Sequence, residues 1–176
     1  MSDKFKGLEG GHGPPSCSHA GDEVRIGDVF MFAGGSNYLW PEDMIGYDLR
    51  VLLRAERNDR SMKFGDAERG FLWLPIADFQ TVEEKNWAIW KVRLSQVYEK
   101  IKQGKRVIVF CAGGHGRTGL FLASLLVLAE PEIDDPVAEI RRRYCFTAVE
   151  TQAQAAQVMR LLRETRAVRT AETMKG

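Results

Sequence analysis

Cys111 closes a short apolar run, Val107-Ile108-Val109-Phe110, and is followed by Ala112-Gly113-Gly114-His115-Gly116 and then Arg117, Thr118 and Gly119. A cysteine thiolate is a nucleophile, and a glycine-rich loop leading into a helix aims consecutive backbone N–H groups and the positive end of the helix dipole at one point. That point is an anion site, and its field should lower the Cys111 pKa. Arg117 adds a permanently charged fork able to hold two phosphate oxygens at once. A thiolate on the floor of such a cradle is equipped for phosphoryl transfer through a cysteinyl-phosphate. The substrate-binding residues are then Ala112, Gly113, Gly114, His115, Gly116 and Arg117. Expelling an alkoxide or phenoxide also requires a general acid. Asp78, in the polar stretch after Leu74-Pro75-Ile76, is the candidate, with Asp66 as a poorer substitute; an ordinary turn or capping aspartate is the plain alternative.

The elements that must carry these groups follow from periodicity and punctuation. The run ending at Cys111 reads as a buried strand, and Leu120 to Leu128 as a nearly all-apolar central helix. Strands are also expected at Val29 to Ala33, Tyr47 to Leu53 and Phe71 to Ile76, with the first ended by a Gly34-Gly35-Ser36-Asn37 turn. Thr81-Val82-Glu83-Glu84 has the form of a capping box. Beyond it Trp87, Trp90, Leu94, Val97, Tyr98 and Ile101 recur at helical spacing until Gly104. Asp135-Pro136 opens a helix through about Tyr144, and a C-terminal helix with Ala155, Val158, Leu161 and Leu162 inward spans Val149 to about Arg169. Arg141-Arg142-Arg143 reads as a solvated face rather than an anion patch. Strands alternating with helices give an α/β class with the ligand at a strand's C-terminal edge.

Cys111, five residues, Arg117 and Thr118 match the Cys-x5-Arg-Ser/Thr signature, and the chain resembles the cysteine-dependent protein tyrosine phosphatase superfamily, most closely its compact dual-specificity branch. The resemblance covers roughly Val29 to Leu162. It implies a three-layer sandwich with a mostly parallel, twisted sheet flanked by helices. It also implies a metal-independent phosphomonoesterase with no cofactor, acting on phosphotyrosine or on phosphotyrosine, phosphoserine and phosphothreonine in protein or peptide substrates. By the same resemblance Asp78 lies in the mobile acid loop, and Thr118 donates a hydrogen bond to the Cys111 sulfur. Ala148-Val149-Glu150-Thr151-Gln152-Ala153-Gln154 resembles an Ala-Ile/Val-Glu-Thr-x-x-Gln element whose glutamine, Gln154, positions water or shapes the pocket. A Thr151-x-x-Gln154 capping box alone also accounts for those residues. The pattern departs at Phe110, where histidine is usual, and at His115, where the loop residue is often apolar. His115 either adds a titratable charge or serves through its backbone N–H. Two other readings stay open: a silent phosphate-binding module, and the same chemistry on a phosphoinositide, a nucleotide or an RNA 5′-triphosphate.

Length and charge set the remaining bounds. The 176 residues suffice for one domain with a full core, and 25 basic against 24 acidic side chains exert no general pull on nucleic acid or anionic membrane. Residues 1–28, rich in Gly, Pro and charge, are expected to be a flexible arm, 29–170 the catalytic domain and 171–176 a frayed tail. His12, Cys17 and His19 in the arm fit no standard zinc spacing and lack a fourth ligand, so no metal is expected. Three cysteines and a polar N-terminus argue against a disulfide framework and for a reducing cytoplasm, with a Cys111–Cys145 disulfide conceivable on oxidation. No apolar run is long enough to span a bilayer.

Overall fold

The computed structural model describes residues 17–39, 41–55 and 70–174. Among the described residues the chain order is β1 (Ala20–Ile26), β2 (Val29–Gly35), a 3-10 turn (Pro41–Met44), β3 (Leu49–Arg54), β4 (Phe71–Ile76), a further 3-10 turn (Glu84–Asn86), α1 (Trp87–Lys102), β5 (Val107–Cys111), α2 (Gly116–Ala129), α3 (Pro136–Arg143) and α4 (Gln152–Thr173). The strands form one mixed sheet in the order β1-β2-β5-β3-β4, in which only the β1–β2 pair is antiparallel.

β5 is the central strand. All five of its residues are buried, as an interior parallel strand covered on both faces requires. Side chains alternate across it. Val107, Val109 and Cys111 face the main core with α1, α2, α3 and α4, whereas Ile108 and Phe110 face a smaller cluster with Leu52, Met44, Leu39 and Tyr47. α2 is buried from Gly116 to Val127, so the apolar run that opens at Leu120 is the hub on which the other helices pack. Trp90 meets Phe121 edge-on at 5.6 Å, and Trp87 donates to Glu164 of α4.

Several expectations are corrected. The end of the expected arm is regular structure: residues 20–26 form β1, paired to β2 through a tight turn at Gly27 (φ 60°), while His12 lies outside the described residues. The expected tail is helical through Thr173. The Thr81–Glu84 capping box does not form. Arg160 of α4 takes the Glu84 carboxylate instead, Gln157 holds both backbone groups of Val82 (2.9 and 2.8 Å), and α1 starts later, at Trp87. The arginine run is a solvated face in part: Arg141 and Arg142 are exposed and Arg143 is half-buried, yet two of the three are tied down beyond their own helix. Arg141 donates to the carbonyls of Ala148 and Val149, and Arg143 bridges Glu139 and Glu130. Asp66, the substitute acid, lies outside the described residues.

Candidate active site

The loop from Cys111 to Arg117 forms where β5 ends against the last residues of β2. Gly35 pairs with Cys111 in register, and Ser36 N and Asn37 N donate to the carbonyls of Cys111 and Ala112 at 2.7 and 3.1 Å. The approach leaves no room for side chains. A Cβ on Gly35 would sit 2.6 Å from the Gly113 carbonyl carbon, and Gly114 adopts φ 85° while packed on the Gly34–Gly35 peptide. Gly34 and Gly35 are therefore not a free turn but the wall that shapes the loop.

Cys111 is 2% exposed, and its Sγ receives two donors: Gly114 N–H at 3.3 Å and Thr118 Oγ1 at 3.2 Å. The Thr118 hydroxyl also lies 3.3 Å from the Gly34 carbonyl. Tyr144 donates to the Gly114 carbonyl at 2.7 Å and steadies the middle of the loop. Burial raises the Tyr144 pKa, so this phenol stays a donor. Phe110 points to the opposite face of the sheet, fully buried among the smaller cluster. The position before the nucleophile is thus a packing position here.

Arg117, from the first turn of α2, is buried and reaches the acid loop. It donates to the Ile76 carbonyl at 3.1 Å and pairs with the Asp78 carboxylate at 2.9 Å. The Asp78 side chain is 54% exposed, so it touches the cradle and solvent together. Phe79 beside it takes φ 57°, and Asp78 Oδ1 accepts its N–H. A non-glycine residue in this left-handed region stores strain, here directly beside Asp78.

Gln154 is fully buried at the start of α4. The capping box with Thr151 is formed in both directions, and the remaining amide donates to the Gln80 carbonyl at 3.0 Å. The side chain thus ties α4 to the acid loop. The α3-to-α4 connection before it is also strained, since buried Val149 has φ 62°. Arg141 holds its carbonyl, and Gly119 lets α2 pass within contact of its backbone.

His115 caps α2, but its ring leaves the loop to meet Thr147 Oγ1 (3.0 Å), Cys145 Sγ (3.5 Å) and Cys17 Sγ (3.7 Å). Burial and the neighbouring His19 lower its pKa, so the ring is no added positive charge at neutral pH. Cys145 meets Cys17 at 3.2 Å instead of standing as a partner reserved for Cys111. Sequence reasoning missed this cluster because its members come from three segments distant along the chain.

Comparisons with known proteins agree with the geometry. The solved structure of Tk-PTP in its active form superposes with a TM-score of 0.59 at 25% identity, covering 81% of this chain and 96% of that one. The kinase associated phosphatase with serine replacing its catalytic cysteine gives a TM-score of 0.65 at 14% identity, covering 87% and 99%, which speaks for the fold. Two uncharacterised proteins of Methanocaldococcus jannaschii are 35% and 36% identical over 95 and 94 residues, or 53% and 52% of this chain. Those stretches make up 60% and 55% of the relatives' own lengths. Residues 45–175 match the family described as the Swiss Army Knife protein, DSP-PTPase phosphatase domain. The chain belongs to that family, a dual-specificity-like branch of the cysteine-dependent protein tyrosine phosphatase superfamily.

Proposed function

We propose that the chain hydrolyses phosphate monoesters through a cysteinyl-phosphate, with phosphotyrosine or phosphotyrosine and phosphoserine/threonine peptides as substrates. The observation that carries this reading is the pair of donors on Cys111 Sγ beside an Arg117 fork already joined to Asp78. In the first step Cys111 attacks phosphorus, the loop N–H groups and Arg117 hold the equatorial oxygens, and Asp78 gives its proton to the leaving oxygen. An incoming phosphate dianion competes with Asp78 for the same guanidinium. Its binding frees the carboxylate, which takes up a proton from solvent and stands next to the ester oxygen as the acid. In the second step Asp78 takes a proton from water, the water oxygen bonds to phosphorus, and the Cys111 thiolate leaves while Thr118 stabilises it. Gln154 acts here as a positioning residue, holding the acid loop through Gln80.

The test is phosphate release from an aryl phosphate, wild type beside Cys111→Ser. The expected result is turnover by wild type alone, and a phosphocysteine adduct trapped on rapid quenching. Equal rates, or an adduct on another residue, would remove Cys111 from the reaction. A marked preference for a phosphoinositide, a nucleotide or an RNA 5′-triphosphate over phosphopeptides would reassign the substrate while leaving the chemistry.

A further inference from the structure

We propose that Cys17, His19, His115 and Cys145 form a structural zinc site that clasps the chain ahead of β1 to the phosphate loop. Their ligand atoms all lie within 4.8 Å of one another. The two sulfurs are 3.2 Å apart and stand 3.7 and 3.5 Å from His115 Nδ1. Zinc held by two thiolates and two imidazoles at about 2.0–2.3 Å spaces its ligand atoms by similar distances, so small shifts, with the sulfurs parting slightly, close a tetrahedron.

His19 supplies the independent sign of a ligand. Its ring is 4% exposed, Nδ1 bonds Asp22 Oδ2 at 2.6 Å, and Nε2 is buried without a hydrogen-bond partner. A buried ring nitrogen left unsatisfied is costly. A carboxylate on one imidazole nitrogen, with the other lone pair aimed into a sulfur cluster, is the usual orientation of a metal-binding histidine. Thr147 Oγ1, 3.0 Å from the Cys145 sulfur, is placed to support that thiolate. A Cys17–Cys145 disulfide would use two members of the cluster and leave His19 Nε2 unsatisfied. A divalent ion engages all four.

Binding balances simply: Zn²⁺ enters, the two thiols release two protons, and both imidazoles bind as neutral bases, leaving a site of zero net charge. Four protein ligands leave no open position, which makes the ion structural. Its consequence for the phosphatase is mechanical. His115 lies in the phosphate loop, Cys145 follows α3, and Cys17 and His19 lie ahead of the family-matched residues 45–175. The ion would fix the loop from the side opposite the substrate.

The experiment is a zinc and cobalt(II) titration of the reduced, metal-stripped full chain, followed by absorption and by thermal melting. Expected results are one ion per chain, a thiolate-to-cobalt charge-transfer band with the visible bands of tetrahedral cobalt, and a higher melting temperature with zinc. Cys111→Ser should keep the cobalt spectrum, while Cys17→Ser/Cys145→Ser should lose its charge-transfer band and bind at least about tenfold more weakly. His19→Gln should weaken binding with both thiolate bands retained. No one-to-one binding by folded wild type would overturn the proposal, whatever the variants do. So would a spectrum lost in Cys111→Ser and kept in the double variant, or a Cys17–Cys145 disulfide in chain purified without oxidant.

Discussion

Cys111 and Cys145 are both buried sulfurs, at 2% and 5% exposure, yet their surroundings differ in kind. Cys111 ends a central strand and receives a backbone N–H and a hydroxyl on Sγ, with Arg117 beginning the next helix. Cys145 lies among another thiol, a hydroxyl and an imidazole, and burial raises its pKa. The first environment supports a lone attacking thiolate facing an anion. The second suits a sulfur that shares a ligand with its neighbours. One loop serves both: Gly114 N–H points to Cys111, and the next side chain, His115, joins the other group. Chemistry on one face of the loop and anchorage on the other is the division to be tested.

The sharpest break is at the sulfurs. Cys111→Ser should abolish turnover and leave the melting temperature nearly unchanged, because the hydroxyl can still accept from Gly114 and Thr118. Cys145→Ser should lower the melting temperature, since it disturbs a packed cluster. If Cys145→Ser alone abolished turnover at unchanged stability, the division would fail. Next in size is Asp78→Asn, expected to lower kcat by about 10²–10⁴-fold on alkyl phosphates and much less on a nitrophenyl ester, whose leaving group needs no proton. A leaving-group series measures this directly, and an equal loss across the series would show Asp78 holding Arg117 rather than donating a proton.

The cradle was legible in the sequence because its chemistry is contiguous. Cys111, Arg117 and Thr118 sit within eight positions, and a strand–loop–helix string fixes their geometry locally. Asp78 was legible as a polar residue just past an apolar strand, although its pairing with Arg117 depends on β4 ending beside α2. The second cluster had no such signal. Cys17 and His19 stand in a Gly- and Pro-rich stretch, and only the antiparallel β1–β2 pairing brings them to residues 115 and 145. β1 carries little signal because Ala20–Ile26 is charged at three of seven positions and buries only Val24 and Ile26. The capping box at Thr81 failed for a tertiary reason: Arg160 of α4 takes the Glu84 carboxylate that would have closed it.

Gly119→Ala probes the turn on which both regions lean. An added Cβ would stand 2.5 Å from Val149 N and 2.9 Å from the Ala148 Cβ, against backbone that Arg141 already clamps. The expected cost is about 1–3 kcal/mol, read as a lower denaturation midpoint. Because the shift would pass to Cys145 on one side and Gln154 on the other, kcat should fall together with stability. A loss of stability with kcat intact would show the acid loop independent of that turn.

The smallest effect concerns α3, which leads directly to Cys145. Glu139 accepts from Arg142 and Arg143, and these bonds hold its pKa down from 4.5 to about 2. Arg143 also pairs with Glu130, which accepts from Gly27 N at 2.9 Å, so the α3 anchor reaches the β1–β2 turn. A carboxylate with a folded pKa below its unfolded value adds stability above the unfolded pKa. That stability is lost as pH falls from 4.5 toward 2. Glu139→Gln should therefore melt lower than wild type at neutral pH and converge with it as the solution is acidified through that window. Parallel melting curves at every pH would mean that Glu130 alone retains Arg143 and that Glu139 contributes nothing to the anchor.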